Sequence, residues 1–363
     1  MHRLLTRSLV IAKPHIRHNA SRLAPSYCAH MMHRPALLCR YQSTAASELV
    51  EPTEIPTIET VRDQFEEEQP DITKGVNKPD KVLLFNDLRR DVYEEIINPN
   101  ATRGVQCSDL PEFNKILKGH RRGELTILTG PTGVGKTTVI SQLSLDYCKQ
   151  GVPTLWGSFE ILNKRLAKKM LSQFAEKDLS ESPEDFDRYA DEFEKLPLYF
   201  LNFHSSTPIH QVLVACQQAV DVYGVQHIII DNLQFMLSQQ ARSGLDKWEL
   251  QEQAIAKIRN FATMQDVHIT LVVHPRKDTG EGLDINSIFG SAKVTQEADN
   301  VIIIQKYEHT RSLDIKKNRY DGTLGEIYYK FNRETLKIEE CPPEERKSSR
   351  SVTTSIYQKK RKN

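Results

Sequence analysis

The stretch that most constrains this chain is Gly130-Pro131-Thr132-Gly133-Val134-Gly135-Lys136-Thr137, which satisfies the pattern G-x-x-x-x-G-K-[ST] in full. The apolar run before it, Leu125-Thr126-Ile127-Leu128-Thr129, reads as a buried strand, and the stretch after it, to Lys149, reads as a helix. In that context the glycines let the backbone curl until successive N–H groups, from Gly130 to Thr138, face a polyphosphate at a helix N-terminus. Lys136 would reach the β- and γ-phosphates, and the Thr137 hydroxyl would hold Mg²⁺. ATP or another nucleoside triphosphate, with Mg²⁺, is the expected ligand.

A chain of 363 residues can bury a sizeable core as one large domain or two modest ones. No run approaches the roughly 18 apolar residues that a membrane span needs. The net charge of +1 hides three unlike parts. Residues 1–47 and 346–363 each carry seven Lys/Arg and no Asp/Glu. All 48 acidic residues therefore lie in 48–345; of the 49 basic residues, removing the 14 at the two ends leaves 35 there, a net charge of −13. A body of that sign does not draw nucleic acid through its bulk field, so any nucleic-acid site must be a local basic lining. Six scattered cysteines (Cys28, Cys39, Cys107, Cys148, Cys216, Cys341) without a C-x-x-C pair argue against a zinc ribbon and a disulfide framework, and fit a reducing compartment.

Residues 1–42 are basic, arginine-rich and acid-free, the composition of an organelle transit peptide, and imply the mitochondrial matrix; a basic tail touching nucleic acid is the other reading. Residues 43–80, rich in Pro, Glu and Thr, cannot bury enough apolar surface to fold alone and read as a disordered linker. Within 81–99, Val82, Leu83, Phe85, Leu88, Val92, Ile96 and Ile97 recur at helical spacing up to Asn98-Pro99. The apolar face of that helix needs a partner, either its own domain or a neighbouring subunit. From 100 to 341 strands and helices alternate: strands at Thr154–Phe159, Leu198–Phe203, Gln226–Ile230 and His268–Val273, helices at Leu162–Phe174, Ile209–Val222 and Leu245–Met264. The pattern predicts an α/β fold with a mostly parallel sheet covered on both faces. Asn300–Gln305, Leu313–Lys317 and Glu326–Phe331 read as further strands, the last two joined as a β-hairpin across Tyr320-Asp321-Gly322. Residues 342–363 read as a basic disordered tail.

Three residues and one basic run outside the phosphate loop are candidates for nucleotide chemistry. Asp231 ends the apolar strand His227-Ile228-Ile229-Ile230 and has the form of a Walker B carboxylate that binds Mg²⁺. Glu160 follows the strand after the P-loop helix, where it can orient an attacking water as a base, or merely favour the next helix's first turn. His274 closes a strand and either contacts a γ-phosphate or is structural. Lys316-Lys317-Asn318-Arg319 can supply an arginine finger only if it reaches another subunit's nucleotide; otherwise it is a solvated cluster. The long loop after His274 is basic at its root, and Arg276, Lys277 and Lys293 are candidate phosphate contacts to DNA.

Taken in order, GPTGVGKTT, WGSFE, HIIIDNLQFM, VVHPRK, FGSAKVTQEADNV and KKNRYDG, with LKGHRRGELT before them, resemble the mitochondrial DnaB-type replicative DNA helicases of the RecA-like superfamily 4. The likeness runs from about Leu83 to Phe331. It implies a RecA-like P-loop NTPase core and a ring, usually hexameric, that threads single-stranded DNA at a fork and moves 5′ to 3′. Mitochondrial replication proteins, a polymerase and a single-strand binding protein, are its implied partners. By position Lys136 and Thr137 match the P-loop residues, Glu160 the catalytic glutamate, Asp231 the Walker B aspartate and His274 the γ-phosphate sensor. Arg319 matches the trans-acting finger with Lys317 as its helper, and the 81–99 helix matches a linker that docks on the adjacent subunit. Family members commonly carry a primase-like region ahead of that linker. Only about 35 residues separate the expected presequence from it here, too few for such a domain, so priming is not expected. Two further readings stay open: a RecA-like recombination or repair ATPase, and a nucleoid DNA-binding NTPase that does not unwind.

Overall fold

The central strands are apolar along their whole length, and that decides their place. In the computed structural model, β1 (Leu125–Thr129), β2 (Thr154–Ser158), β4 (His227–Asp231) and β5 (His268–Val273) are buried at every residue. Strands buried on both faces belong in a parallel sheet sandwiched between helices. The structure describes residues 82–98, 102–203, 206–238, 247–275, 283–285, 292–307 and 310–342. The expected transit peptide (1–42), the linker (43–80) and all of the basic tail but Pro342 lie outside the described residues.

With β3 (Leu198–Phe200), β6 (Asn300–Lys306), β7 (Arg311–Asn318), β8 (Gly325–Phe331) and β9 (Ile338–Glu340), the strands form one nine-stranded sheet. Its order is β3-β2-β4-β5-β1-β6-β7-β8-β9. Pairings from β3 to β6 are parallel and those from β6 to β9 antiparallel. The hairpin expected across Tyr320-Asp321-Gly322 is present between β7 and β8, with Gly322 at φ +74°.

The helices are α1 (Phe85–Ile97), α2 (Pro111–Leu117), α3 (Lys136–Lys149), α4 (Asn163–Ala175), α5 (Phe186–Phe193), α6 (Ile209–Tyr223), α7 (Leu233–Met236), α8 (Lys247–Met264) and α9 (Ala292–Glu297). Alternate strand residues feed two cores, as the two-residue period of a strand requires. Ile127, Ile228, Ile230, Ile269 and Leu271 pack with Val212 and Cys216 of α6 and Ile255 and Ile258 of α8. Leu128, Trp156, Ile229 and Val272 face the other way, onto Phe113 of α2, Val139, Ile140 and Leu143 of α3 and Leu166 of α4.

Two expectations are corrected. Edge strand β3 ends at Phe200 instead of Phe203, because its only partner, β2, pairs it no further than Trp156↔Phe200. Lys293, read as part of a long loop, lies in α9. Among the described residues the face of α1 is left largely uncovered: Phe85 is 67% and Ile96 70% exposed, and no residue of the helix is buried. No helix among the described residues is long and apolar enough to cross a membrane.

Candidate nucleotide site

Parallel strands deliver their last residues to one edge, and register fixes which ones meet there. Thr129 lies opposite Val273, Ser158 opposite Asp231, and Asp231 opposite Val272. The loop after β1, Glu160 after β2, Asp231 ending β4 and His274 after β5 therefore converge on the carboxyl edge. Gly130, Pro131, Thr132, Gly133 and Val134 form the turn into α3, whose N-cap, Gly135, has φ +101°. Gly130 is required for close approach as well: a Cβ there would stand 2.8 Å from the carbonyl oxygen of Ile304.

Lys136 is the first residue of α3, and its Nζ donates to the carbonyls of Gly130 (2.8 Å) and Pro131 (3.0 Å). Burial lowers its pKa, against the pull of Asp231 and Glu160. The Thr137 hydroxyl donates to Asp231 Oδ2 at 2.7 Å. Burial pushes the Asp231 carboxyl up to about 6, the Thr137 bond opposes this, and the Glu160 charge adds to it. A buried carboxylate beside a hydroxyl is a hard-oxygen donor set, and Mg²⁺ selects such sets. Thr138, one residue on, accepts a hydrogen bond from Lys169 Nζ of α4 at 2.9 Å.

Asn232 is the residue that sequence reasoning missed. Its side chain is fully buried. The Phe235 N–H donates to its Oδ1 (3.0 Å), capping α7 and thereby turning the amide nitrogen towards the site. That nitrogen donates to Glu160 Oε2 and to His274 Nε2, the latter at 3.0 Å. Because His274 Nε2 accepts, the ring proton sits on Nδ1, a buried donor with no hydrogen-bond partner among the described residues. Burial and then the Lys136 charge lower the His274 pKa, and Glu160, 3.5 Å away, acts the other way. Gln234 fixes the backbone at this point: His274 N–H donates to its Oε1 (3.1 Å), and its Nε2 donates to the His274 carbonyl (3.3 Å). A carboxylate, a neutral imidazole with a free N–H and an ammonium thus face one edge, tied through one amide. That set can hold a polyphosphate, orient a water and register a terminal phosphate. The only sign of Asn232 in the sequence is its place just after the Walker B carboxylate, where an N-cap asparagine opens a helix.

Arg319 and Lys317 do not reach this edge in their own chain. Asn318 pairs with Asn300, which lies opposite Thr126 at the start of β1, so the end of β7 sits at the amino edge of the parallel strands. There Lys317 Nζ donates to the carbonyls of Thr295 (2.6 Å), Gln296 (3.3 Å) and Ala298 (2.7 Å), closing the C-terminal end of α9. Arg319 donates to Asp299 Oδ1 (2.8 Å) and to the Gln296 carbonyl (2.7 Å), with its side chain 48% exposed. A contribution from either to nucleotide chemistry requires a second protomer. Arg276 and Lys277 lie outside the described residues, as does the side chain of Lys293.

Residues 96–280 match the protein family described as "AAA domain". The chain is 23% identical over 283 residues to the DNA helicase/primase of Enterobacteria phage T3; the match takes in 71% of this chain and 49% of that protein, so the chain spans about half of the relative's length. Among solved structures, an isolated ATPase domain superimposes with a TM-score of 0.64 at 16% identity, over 72% of this chain and 100% of that domain. A DnaB-like replicative helicase, described with its interactions with primase, gives 0.61 at 16% identity, over 74% of this chain and 69% of that one. The fold is therefore a RecA-like α/β ATPase core, with a C-terminal antiparallel extension of the sheet.

Proposed function

The chain belongs to the AAA domain family, and from that premise we propose that it is an ATP-dependent DNA helicase of the DnaB type. Its work would be to unwind duplex DNA 5′ to 3′ as a ring of identical subunits. The observation that carries this reading is the gathering of Lys136, Thr137, Glu160, Asp231 and His274 on one sheet edge, with Asn232 joining base to sensor. Lys136 would take the β- and γ-phosphates when its two loop carbonyls release it. Thr137 and Asp231 would hold Mg²⁺, which neutralises charge between the phosphates. Glu160 would accept a hydrogen bond from the attacking water and draw off its proton, held in place by the Asn232 amide. The free Nδ1–H of His274 would donate to the terminal phosphate oxygen. Arg319, on the opposite sheet edge, would complete a neighbour's site, with Lys317 beside it. The exposed face of α1 supports assembly, since a second subunit would supply the cover that the described residues do not.

Within the DnaB type the motif series supports placement beside Twinkle, the mitochondrial replicative helicase. The arginine-rich, acid-free 1–42 segment supports import into the matrix. Forked DNA, a hexameric ring of the same chain, and the mitochondrial polymerase and single-strand binding protein are the partners this reading names. Strand displacement on a forked duplex with a 5′ tail tests it, comparing wild type with Glu160→Gln. Wild-type protein is expected to separate the strands only with hydrolysable nucleotide, and the variant to bind nucleotide without separating them. DNA-stimulated hydrolysis without strand separation would instead make the chain a nucleoid DNA-binding NTPase.

A further inference from the structure

At the amino edge of the same sheet, across from the nucleotide site, three histidines are buried together. His227 and His268 are the first residues of β4 and β5 and lie opposite one another in register. His120 joins them from the bridge that pairs it with Val105. None is more than 3% exposed. Ring centroids stand 4.4 Å (His120 to His268), 5.2 Å (His227 to His268) and 5.8 Å (His120 to His227) apart. One ring nitrogen from each lies within 4.8 Å of the other two.

Each ring has one nitrogen engaged. His120 Nδ1 meets the Tyr147 hydroxyl (2.9 Å), His227 Nε2 the Thr270 hydroxyl (3.0 Å), and His268 Nδ1 the Arg121 carbonyl (2.7 Å). The carbonyl can only accept, so His268 carries its proton on Nδ1 and a lone pair on Nε2. The other nitrogens, His120 Nε2, His227 Nδ1 and His268 Nε2, have no hydrogen-bond partner among the described residues. Three such buried nitrogens in one place are costly unless something binds them. An outer hydrogen bond on one nitrogen and a free second nitrogen is also how metal-ligating histidines are held.

We propose that His120, His227 and His268 form a buried binding site for a Zn²⁺-class transition-metal ion, with a fourth coordination position turned to the adjoining cavity. That cavity, of about 890 Å³, is lined by all three histidines, by the carboxylates of Glu95, Glu124 and Asp321, and by Arg103, Arg121 and Arg122. The nearby Arg121 is already paired, at 2.7 Å with Glu124 and over the Tyr320 ring at 4.2 Å. An all-imidazole donor set suits Zn²⁺, Cu²⁺ or Ni²⁺ and not Mg²⁺ or Ca²⁺, so this site is chemically distinct from the hard-oxygen site at the P-loop. Tetrahedral bonds of about 2.0 Å bring ligand nitrogens to about 3.3 Å of one another, a side-chain adjustment of about an ångström from the geometry seen. A bound ion would tie the stretch between α2 and β1 to β4 and β5.

The test uses the full chain with its five N-terminal histidines (His2, His15, His18, His30, His33) replaced by Ala, so that they do not compete. After chelator stripping, Zn²⁺ is titrated calorimetrically and Co²⁺ is followed by its visible absorption. One equivalent per chain is expected, with tetrahedral Co²⁺ bands, and X-ray absorption of the zinc form should give three imidazole shells at about 2.0 Å. His120→Gln and His227→Gln are each expected to weaken binding by about a hundredfold or more. His210→Gln, on the exposed face of α6, leaves it unchanged. Retained binding of a fluorescent nucleotide at the far edge shows that the variants fold. Absence of stoichiometric binding by the parent, or binding that survives both histidine variants, overturns the proposal. If the variants do not fold, an absorption spectrum of the parent without three imidazole shells overturns it equally.

Discussion

Asn232 makes three hydrogen bonds from a fully buried side chain, and two substitutions separate them. Asn232→Asp keeps an oxygen for the Phe235 N–H, and Asp caps a helix as well as Asn does, so α7 stays anchored. It removes the amide hydrogens that Glu160 and His274 share and sets a second carboxylate against Glu160. Asn232→Ala removes all three bonds. The lost cap costs about 1 kcal/mol, and His274 Nε2, deprived of its donor, about 1 kcal/mol more. Glu160 is 38% exposed and rehydrates, so its share is small. The alanine variant is expected to lose about 2 kcal/mol, a fall in Tm of about 4–8 °C.

Activity distinguishes a positioning role from a merely structural one. A base displaced by about an ångström loses about a hundredfold in rate, so both variants are expected to lower kcat by that order. Nucleotide affinity should change by less than about threefold, because Lys136 and Thr137 are untouched. Phosphate release under DNA stimulation, fluorescent-nucleotide titration and thermal melting read the three quantities. Asn232→Asp with kcat within about twofold of wild type would refute the role assigned to the amide.

Two more perturbations follow from the geometry. Folded Asp231 has its pKa raised to about 6 by burial, against about 3.9 unfolded, so above pH 6 the metal-free fold carries an ionised buried carboxyl at a cost of about 3 kcal/mol. That cost is relieved as pH falls through 6 towards 4; Asp231→Asn should therefore raise the Mg²⁺-free Tm near pH 8, raise it less near pH 5, and abolish Mg²⁺-dependent hydrolysis. A gain equal at both pH values would contradict this. Leu88→Asp with Ile96→Asp alters residues 40% and 70% exposed, so the subunit's own stability should move by no more than about 0.5 kcal/mol. Mass photometry with nucleotide should nevertheless show single subunits in place of the assembly; unchanged assembly would mean that α1 does not dock.

The nucleotide edge was legible in the sequence because its parts are local. The glycine pattern sits between a five-residue apolar strand and a helix, and Asp231, Glu160 and His274 each end an apolar run. Strand termini in a parallel sheet share an edge, so the sequence positions translate into proximity. The opposite edge was not legible for the converse reason. His120, His227 and His268 head or precede their strands, are separated by more than a hundred residues at the first step, and show no metal-ligand spacing. The register of β4 with β5 brings His227 to His268, and the bridge to Val105 brings His120 to both. Helix α2 announces itself by Pro111 at its first turn, yet it is only seven residues long, between Leu110 and Lys118, and it reads equally well as a lead-in. The β9 strand, three residues long, is below what alternation can detect; it is fixed by pairing with β8 and by Gln142, which hydrogen-bonds both backbone groups of Ile338.

Whether a nucleotide is shared between neighbouring subunits is answered by mixing two inactive chains. Lys136→Ala lacks the phosphate-loop lysine but keeps its Arg319, and Arg319→Ala has the reverse. If Arg319 acts across the interface, an equimolar mixture places an intact loop against an intact arginine at about a quarter of the contacts in randomly assembled rings. Hydrolysis should then rise well above that of either chain alone. A mixture as inactive as its parts, or Arg319→Ala hydrolysing at the wild-type rate by itself, would contradict a site completed from the next subunit.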